Sequence, residues 1–467
     1  MAAPSAALAL DRPAPDAGER TAFEAIGAQA LAFRLYLLFV ASWFLHLPER
    51  FPLLGTFRFD FLLFWTIAAL ALISHFQGAP RVDSRINRLM GLLVAYSILT
   101  LPFVEWPGSV LRVNLIRFVK ALLFYHFTVS LTTNERKLFQ LVFVFVGCQV
   151  FRVLEPLYLH VTQGYWGSAA SMGAWERLDR LAGAPHDVVN PNGLAFVILT
   201  ALCFTHYLWP RSMPGAAAYL ALLPACLYAL ILTGSRMGIL GLWVAFVVIW
   251  LQSRHRFLLL VAAALAVSFA VPRMAPEQLD RYTSIFSSDT KNAATAQGRI
   301  EGIKRDFSVA MRRPIFGHGL GTSYEANSNF AGGRHLSHNL AAEVMQELGV
   351  IGLALFAALI AAIAASVRRA ARALRASATA GPSLLRLGLA LQVWLAVNLT
   401  CSPFSYGLSD YQWYLLAGLA DVLTRLASER AASAAPAAPV ALASSRGSFL
   451  SRPPGGRPPA VRGPSLA

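Results

Sequence analysis

The chain has 467 residues, of which 56% are hydrophobic and only 14% are charged. Soluble domains carry about 25% charged residues, so this composition excludes a soluble globular protein and indicates a polytopic membrane protein. The formal net charge of +16 fits basic loops that face anionic lipid. Nucleic-acid binding would require a soluble basic module, and the sequence contains no such module.

About twelve apolar segments follow one another along the chain, and each approaches the roughly 20 residues that a membrane-spanning helix requires. They are residues 31–47, 59–76, 89–104, 113–131, 138–159, 191–209, 216–234, 237–251, 257–271, 338–365, 384–400 and 410–426. The sequence therefore predicts an all-α polytopic membrane protein with a transmembrane bundle over residues 31–427. Residues 1–30 show no apolar run ahead of a cleavage site, so we expect a cytoplasmic N-terminal segment and no removable signal peptide. Residues 428–467 are rich in Ala, Pro, Ser and Gly with scattered arginines, which predicts a disordered basic cytoplasmic tail.

Basic residues concentrate in the short connections after every second predicted span, for example at Arg85, Arg254 and Arg368. The short connections at the other end of the bundle are poor in basic residues. Because Lys and Arg are retained on the cytoplasmic side of a membrane, both termini are predicted to be cytoplasmic. The two long connections, residues 159–190 and 273–336, are then predicted to lie on the outer face.

The second long connection contains a predicted amphipathic helix. Ile300, Ile303 and Phe307 recur at helical spacing, whereas Lys304 and Asp306 fall on the other side. Such a helix is expected to lie at the boundary between the membrane and water.

Several motifs occur in order around this connection. They are "NPNGLAF" at 190–196, "LTGSRMGILGL" at 232–242, Gly-Arg at 298–299, "RRPIFGHGLGTSYE" at 312–325 and "HNLAAEVMQELGVIG" at 338–352. The set resembles the signature of the O-antigen ligase and polymerase superfamily of bacterial inner-membrane proteins, with the core at about residues 190–365. In that family, Gly-Arg opens a periplasmic helix and His-Asn enters the next span. Ala342 or Val344 stands where a leucine is common in the family.

The resemblance implies an enzyme that moves an oligosaccharide from undecaprenyl pyrophosphate to an acceptor hydroxyl at the periplasmic face, with no cofactor and no metal. It implies that His338 is the base, since imidazole titrates near neutral pH. It also implies that Arg236 and Arg299 bind the pyrophosphate, for which a guanidinium fork is better suited than an ammonium group. The residues with an implied supporting role are Asn192, Asn339 and Glu347.

Each of these residues also has a structural interpretation. His338 could belong to the cap of the tenth span, with Asn339 supplying the capping bond. Arg236 could extend toward the membrane surface, and Arg299 could be an ordinary surface arginine. For Glu347, which lies inside an apolar span, we expect a structural pair with an arginine.

Two further histidines, His318 and His335, are expected to be solvated loop residues. Two cations, Arg117 and Lys120, lie about halfway along the fourth predicted span and on one helix face. A charge at that depth costs about 3 kcal/mol or more, so both need partners. They could pair with a carboxylate, or they could line a cavity that receives the pyrophosphate or its sugars, and the sequence leaves both open. The candidate carboxylates are Glu105, Glu155 and Glu347.

The predicted activity is that of a glycosyltransferase with a polyprenyl-pyrophosphate-linked donor. A polymerase of exopolysaccharide or O-antigen repeat units is slightly favoured, because nothing indicates a docking surface for lipid A. The alternatives are an O-antigen ligase that transfers to lipid A core and, in another class, a transporter or flippase of lipid-linked sugars. A transporter would have functional charges near the middle of the membrane and two halves of related sequence. Arg117 and Lys120 fit the expected charges, but no internal repeat is visible in the sequence. The expected partners are the lipid-linked glycan, a polysaccharide or lipid A core acceptor, the bilayer and other polysaccharide assembly proteins.

Overall fold

The computed structural model describes residues 17–76, 84–167, 179–210, 212–283, 293–332, 337–377, 381–405 and 407–434, and all regular secondary structure among these residues is helical. The helices are α1 (Ala17–Leu45), α2 (Leu47–Arg50), α3 (Pro52–Thr56), α4 (Phe59–Phe76), α5 (Arg85–Leu99), α6 (Pro107–Ser109), α7 (Leu115–Leu131), α8 (Glu135–Gln163), α9 (Pro191–Leu208), α10 (Met213–Leu232), α11 (Arg236–Gln252), α12 (Arg256–Ala270), α13 (Pro276–Thr283), α14 (Ala293–Ala310), α15 (Ser323–Phe330), α16 (Leu340–Ala376), α17 (Pro382–Cys401) and α18 (Tyr411–Ala434). The prediction of an all-α protein is confirmed.

Seven of these helices are long and apolar enough to cross a membrane, namely α1, α8, α9, α10, α12, α16 and α17. α4 and α11 contain shorter apolar helices. The remaining segments predicted to span, in α5, α7 and α18, are helical as well. The chain is thus a multi-pass membrane protein, while the number of about twelve spans and the periplasmic position of the long loop stay predictions.

Local sequence explains where several helices begin. The side chains of Asn134, Asn190 and Ser235 each precede a helix and accept a hydrogen bond from the amide three residues on, at 2.9, 2.8 and 3.1 Å. Side-chain oxygens at this position satisfy amides that have no partner within the helix. α9, α11, α16 and α18 begin at one end of the bundle, because residues at the start of all four line one cavity. We call this end, which also carries the long connections, the loop face.

α16 lies at the centre of the bundle and packs against α5, α14, α17 and α18. α9 packs between α8, α10, α11 and α17 and is buried along most of its length. α12 is peripheral, and none of its residues is buried. The buried centre therefore supports the N-terminal ends of α9 and α16 at the loop face.

The glycine-rich run at residues 312–325, which follows α14, forms backbone hydrogen bonds with a kinked part of α16. At the kink, Gly349 has φ 65° and ψ −170°, a conformation that side chains other than hydrogen strongly disfavour. The amides of His318 and Gly319 donate to the α16 carbonyls of Gln346 and Glu347 at 2.7 and 2.9 Å. A Cβ on Gly349 would lie 2.2 Å from a carbonyl oxygen of the run. This close approach explains why both segments contain glycine.

Replacing Gly349 with alanine should lower the free energy of unfolding by about 1–3 kcal/mol or more, because the backbone conformation is strained and the new Cβ meets rigid backbone. Gly147→Ala in α8 is the matched control, since a Cβ there would meet no atom within 4 Å and alanine favours a helix. Thermal unfolding of both variants in one detergent measures the difference. A Gly349→Ala variant as stable as the wild type would contradict the close contact.

α14 forms where the amphipathic helix was predicted, but it buries a different face. Asp306, predicted on the polar side, is only 3% exposed, whereas Ile300 is 49% exposed. The Ser337 hydroxyl donates to the Asp306 carboxylate at 2.9 Å, and the Gln346 amide group donates to the Asp306 carbonyl at 2.9 Å. Burial raises the pKa of Asp306 above its usual range. The predicted polar face is therefore wrong at Asp306, because hydrogen bonds compensate its burial against α16.

α18 continues past the predicted boundary of the tail at residue 428 and ends at Ala434. In this last part, Arg430 forms an ion pair with Glu135 of α8. The boundary predicted at residue 428 therefore falls inside α18. Residues 1–16 and 435–467 lie outside the described residues.

Candidate active site

Four helices of the loop face begin at one cavity with a volume of about 310 Å³. The N-terminal ends of α9, α16 and α18 line it, and Met237 at the start of α11 joins them. Helix N-termini carry partial positive charge and amides without partners, so their convergence favours an anionic ligand. We call this space the His338 cavity. Its polar lining residues are Arg152, Asn190, Asn192, His338, Asn398, Ser402, Ser405, Asp410, Tyr411 and Gln412.

His338 occupies an exposed position on this lining, two residues before α16 begins. The N-cap of α16 is Asn339, whose side-chain oxygen accepts a hydrogen bond from the Ala342 amide at 3.0 Å. Ser337 is used differently, since its hydroxyl donates to Asp306. Asn339 thus supplies the capping bond, and the cap does not require an imidazole at position 338.

The turn between α10 and α11 brings arginines together. Arg180 and Arg281 are buried, and their Nε atoms donate to the carbonyls of Thr233 and Gly234, each at 2.7 Å. Arg236 is the first residue of α11 and follows this turn directly. Two guanidinium groups therefore hold one short turn at the loop face, and a third arginine follows it in the chain.

Asn192 connects this turn with the His338 cavity. Its side-chain oxygen accepts hydrogen bonds from Arg180 at 3.0 Å and from the Ser235 hydroxyl at 2.9 Å, and Asn192 itself lines the cavity. Arg236 is half-buried and adjoins Met237, which also lines the cavity. The structure thus brings Asn192, Arg236 and His338 to one region, although they come from three separate motifs.

Arg117 and Lys120 line a second space of about 240 Å³, which we call the Lys120 cavity. The three carboxylates named as candidate partners bond elsewhere among the described residues, and the carboxylate that shares the cavity with these cations is Asp410. The geometry therefore favours the cavity alternative over pairing with the three candidates. These partners are Arg313 for Glu105 (3.1 Å), Arg50 for Glu155, and the Gly321 amide for Glu347 (2.8 Å).

His46 lines the Lys120 cavity in a strained conformation. Its φ of 51° and ψ of 49° are left-handed, which costs free energy for a residue other than glycine and concentrates at functional positions. Its buried Nδ1 atom makes no hydrogen bond with the described residues and lies 3.8 Å from Asp187. Burial lowers the pKa of His46. Together with Arg117 and Lys120, it makes this cavity the second functional candidate.

Arg152 lines both cavities and anchors the loop that precedes α9. Its Nε and Nη2 atoms donate to the two carboxylate oxygens of Asp187 at 2.6 and 2.9 Å, and its Nη1 atom donates to Gln149 at 3.3 Å. Arg152 and Asp187 are both buried. A bidentate pair has a fixed geometry, so this contact positions the loop that carries Arg180 and Asn190.

Two buried glutamates of α16 hold further loops. Glu347 accepts a hydrogen bond from the Gly321 amide at 2.8 Å, so the expectation of an arginine partner is wrong for the described residues. Glu343 lies one turn earlier and accepts from the amides of Gly407 and Leu408 at 2.7 and 3.3 Å. Amide donors satisfy a buried carboxylate, and sequence patterns do not reveal which loop will supply them.

His318 is buried, which corrects the expectation of a solvated loop histidine. Its Nε2 atom donates to the Val309 carbonyl, and its Nδ1 atom lies 3.1 Å from the Glu105 carboxylate. It therefore fixes the end of α14 against the glycine-rich run. His335 and the side chain of Arg299 lie outside the described residues, and the role of Arg299 stays a prediction.

Residues 220–357 match the family model described as O-antigen ligase. This match supports the O-antigen ligase superfamily. No curated protein matches the chain. The matched region runs from α10 into α16 and includes Arg236, the glycine-rich run and His338. The family implies membrane glycosyl transfer of the O-antigen ligase or polymerase type.

Four residues of the site were not predicted from the sequence, namely Arg152, Arg180, Arg281 and Asp410. The tripeptide Leu-Asp-Arg ends at Arg180 and again at Arg281, once in each long connection, but it also occurs at residues 10–12 and so does not by itself mark the site. Arg152 is detectable as an arginine inside an apolar segment. Asp410 carries no sequence signal of its own. Among the described residues, no group of three or more His, Cys, Asp and Glu could hold a metal ion.

Proposed function

We propose that this protein transfers a glycan from undecaprenyl pyrophosphate to an acceptor hydroxyl at the loop face. The observation that carries the proposal is the convergence of four helix N-termini and His338 on one cavity of about 310 Å³ beside the arginine-bearing turn. A pyrophosphate suits helix N-termini and guanidinium groups, and neutral Asn, Ser and Gln side chains suit sugar hydroxyls. On this proposal the protein lies in the bacterial inner membrane, the loop face is periplasmic, and both termini are cytoplasmic.

In the proposed reaction, the acceptor oxygen attacks the anomeric carbon of the donor sugar. The bond between that carbon and the phosphate oxygen breaks, and the pyrophosphate departs with the electron pair. His338 takes the proton of the acceptor hydroxyl, because imidazole is a base at neutral pH. Arg236 and Arg299 stabilise the charge of the departing pyrophosphate, while Arg180 holds the turn in place.

We favour a polymerase over a ligase because the protein offers a second space lined by cations. The Lys120 cavity shares residues with the His338 cavity and contains Arg117 and Lys120. A polymerase binds two lipid-linked glycans and must accommodate a pyrophosphate from each. On this proposal the pyrophosphate of the donor lies beside Arg236. The Lys120 cavity then remains for the pyrophosphate of the acceptor.

Purified protein in lipid vesicles, supplied only with undecaprenyl-pyrophosphate-linked glycan, tests this proposal. A polymerase produces a ladder of longer lipid-linked chains from this single substrate. Products that form only after lipid A core is added would indicate a ligase. Arg117→Leu and Lys120→Leu variants then show whether the second cavity serves the acceptor.

The proposed orientation predicts a labelling pattern. A cysteine at Ser328, in α15 on the loop face, should react with a membrane-impermeant maleimide in intact spheroplasts. A cysteine at Ser377, directly after α16, should react only after lysis. Background labelling should be low because Cys148, Cys203, Cys226 and Cys401 are all buried. The reverse pattern would put His338 in the cytoplasm and contradict the mechanism.

A further inference from the structure

Arg152, Asp410 and Tyr411 line both the His338 cavity and the Lys120 cavity, so they form the wall between them. The Arg152 guanidinium is engaged by Asp187 through two hydrogen bonds, and the Tyr411 hydroxyl bonds with Gln149. The Asp410 carboxylate is different. Within the described part of the chain, its hydrogen bond comes from the Tyr411 amide, which leaves it able to accept bonds from a ligand.

The loop that carries Asp410 is held from two sides. The Glu343 carboxylate accepts from the amides of Gly407 and Leu408 at 2.7 and 3.3 Å. The Tyr414 hydroxyl donates to the Leu408 carbonyl at 2.6 Å, and the Asp410 amide donates to the Gly407 carbonyl at 3.1 Å. A carboxylate on such a loop is already positioned, so a ligand need not order it on binding.

The surroundings of Asp410 suit a sugar. Asn190, Ser402 and Gln412 offer neutral hydrogen-bonding groups. Asp410 is the one carboxylate among the described residues that line either cavity. A hydroxyl that donates to a carboxylate makes a strong charge-assisted hydrogen bond, whereas a pyrophosphate would be repelled. The ligand at Asp410 is therefore a neutral sugar rather than a phosphate.

We propose that Asp410 binds a hydroxyl of the acceptor sugar at the junction of the two cavities. This inference rests on the proposed glycan transfer. An acceptor whose pyrophosphate lies beside Lys120 must pass this wall to bring its hydroxyl to His338. Asp410 thus aligns the acceptor between the place where its lipid end is held and the place where it reacts.

The position of Asp410 also makes acceptor binding depend on pH. Burial raises the pKa of Asp410 to about 6, so the carboxylate is ionised above that pH and takes up a proton below it. A protonated group is a weaker hydrogen-bond acceptor, so acceptor binding should weaken as the pH falls through about 6. Other charged and titratable groups surround Asp410 on several elements. The basic groups are Arg152 of α8, Arg117 and Lys120 of α7, His46 after α1 and His338 before α16. The acidic and phenolic groups are Asp187 of the loop after α8, Glu343 of α16, and Tyr411 and Tyr414 of α18.

The test uses the full-length protein in lipid vesicles with lipid-linked glycans extracted from host membranes as donor. The acceptor is the same glycan released from its lipid by mild acid, which lacks a pyrophosphate and so cannot act as donor. Asp410→Asn keeps the shape of the side chain and removes its charge. At a fixed donor concentration, we expect the KM for the lipid-free acceptor to rise about tenfold or more. The acceptor KM of the wild type should rise below a pH of about 6, and that of Asp410→Asn should not.

Asp421→Asn is the matched control, because Asp421 is a buried aspartate of α18, the helix that follows Asp410, and its carboxylate accepts from Ser84 and Tyr125 at 2.6 and 2.8 Å. This control should keep the wild-type acceptor KM and its pH dependence. Asp410→Glu retains the charge and should also retain the pH dependence. An unchanged acceptor KM in Asp410→Asn would overturn the inference and leave glycan transfer standing.

A wild-type protein that transfers no glycan would instead overturn the proposed function. In that case, binding of the lipid-free glycan can be followed by tryptophan fluorescence, since Trp413 lines the His338 cavity. Weaker binding by Asp410→Asn than by the wild type would support the sugar site. Equal binding, or no binding by either protein, would overturn it.

Discussion

His338→Ala should lower the rate of glycan transfer about a hundredfold or more, which is the usual contribution of a general base. Donor affinity should survive, because Arg236 and the turn before it are unchanged. α16 should remain capped, since Asn339 accepts the hydrogen bond from the Ala342 amide. The loss should therefore appear in turnover and leave thermal stability close to that of the wild type.

His338→Asn separates base catalysis from a polar contact. Asparagine retains hydrogen-bonding groups but cannot take up a proton at neutral pH, so this variant should be as slow as His338→Ala. His255→Ala is the matched control, because His255 also precedes a helix, α12, and makes no capping bond through its side chain. Transfer rate and donor affinity are measured in the same lipid for all variants. A fully active His338→Asn protein would refute catalysis by this residue.

Arg236→Lys should cause the second large loss, about tenfold to a hundredfold in transfer rate, although the positive charge is kept. A guanidinium group donates two parallel hydrogen bonds to phosphate oxygens, whereas an ammonium group acts as a point charge. The missing charge-assisted bond is worth about 1.5–3 kcal/mol. The loss should be largest when donor is limiting, because the arginine acts on the donor's pyrophosphate.

Arg256→Lys is the control for this experiment. Arg256 is likewise the first residue of an apolar helix, α12, but it is exposed and bonds to the Leu251 carbonyl at 3.0 Å. Its replacement should leave transfer unchanged. If Arg236→Lys also kept full activity, the role of Arg236 would be limited to extending toward the membrane surface.

The sequence predicts the helical architecture well, because apolar segments and capping residues are local features. Each predicted span is helical, and Asn190 and Ser235 cap the helices that they precede. His338 and Asn192 were likewise found through motifs, and the structure brings both to one cavity. Helix length and composition together separate strong spans from weaker ones: α7 is only 17 residues long and contains Arg117 and Lys120, so it fulfils the pattern only in part.

The partners of buried charges could not be predicted, since they depend on packing between segments that are distant in the sequence. Glu347 accepts a hydrogen bond from a loop amide instead of an arginine. Asp306 is buried, and its carboxylate accepts a hydrogen bond from Ser337. Arg152 and Asp410 meet only after α8 and α18 are packed together. Hydrophobic periodicity reports which face of a helix is apolar, but it does not report which polar group will lie opposite.

The central claim is that a glycan leaves its lipid pyrophosphate at the His338 cavity. The most direct measurement is the release of free undecaprenyl pyrophosphate by the purified protein in vesicles, followed together with the elongated product. We expect the two to appear in equal amounts with the wild-type protein, and both to fall together in His338→Ala. Movement of intact lipid-linked glycan across the bilayer without release of undecaprenyl pyrophosphate would contradict glycan transfer and identify a transporter instead.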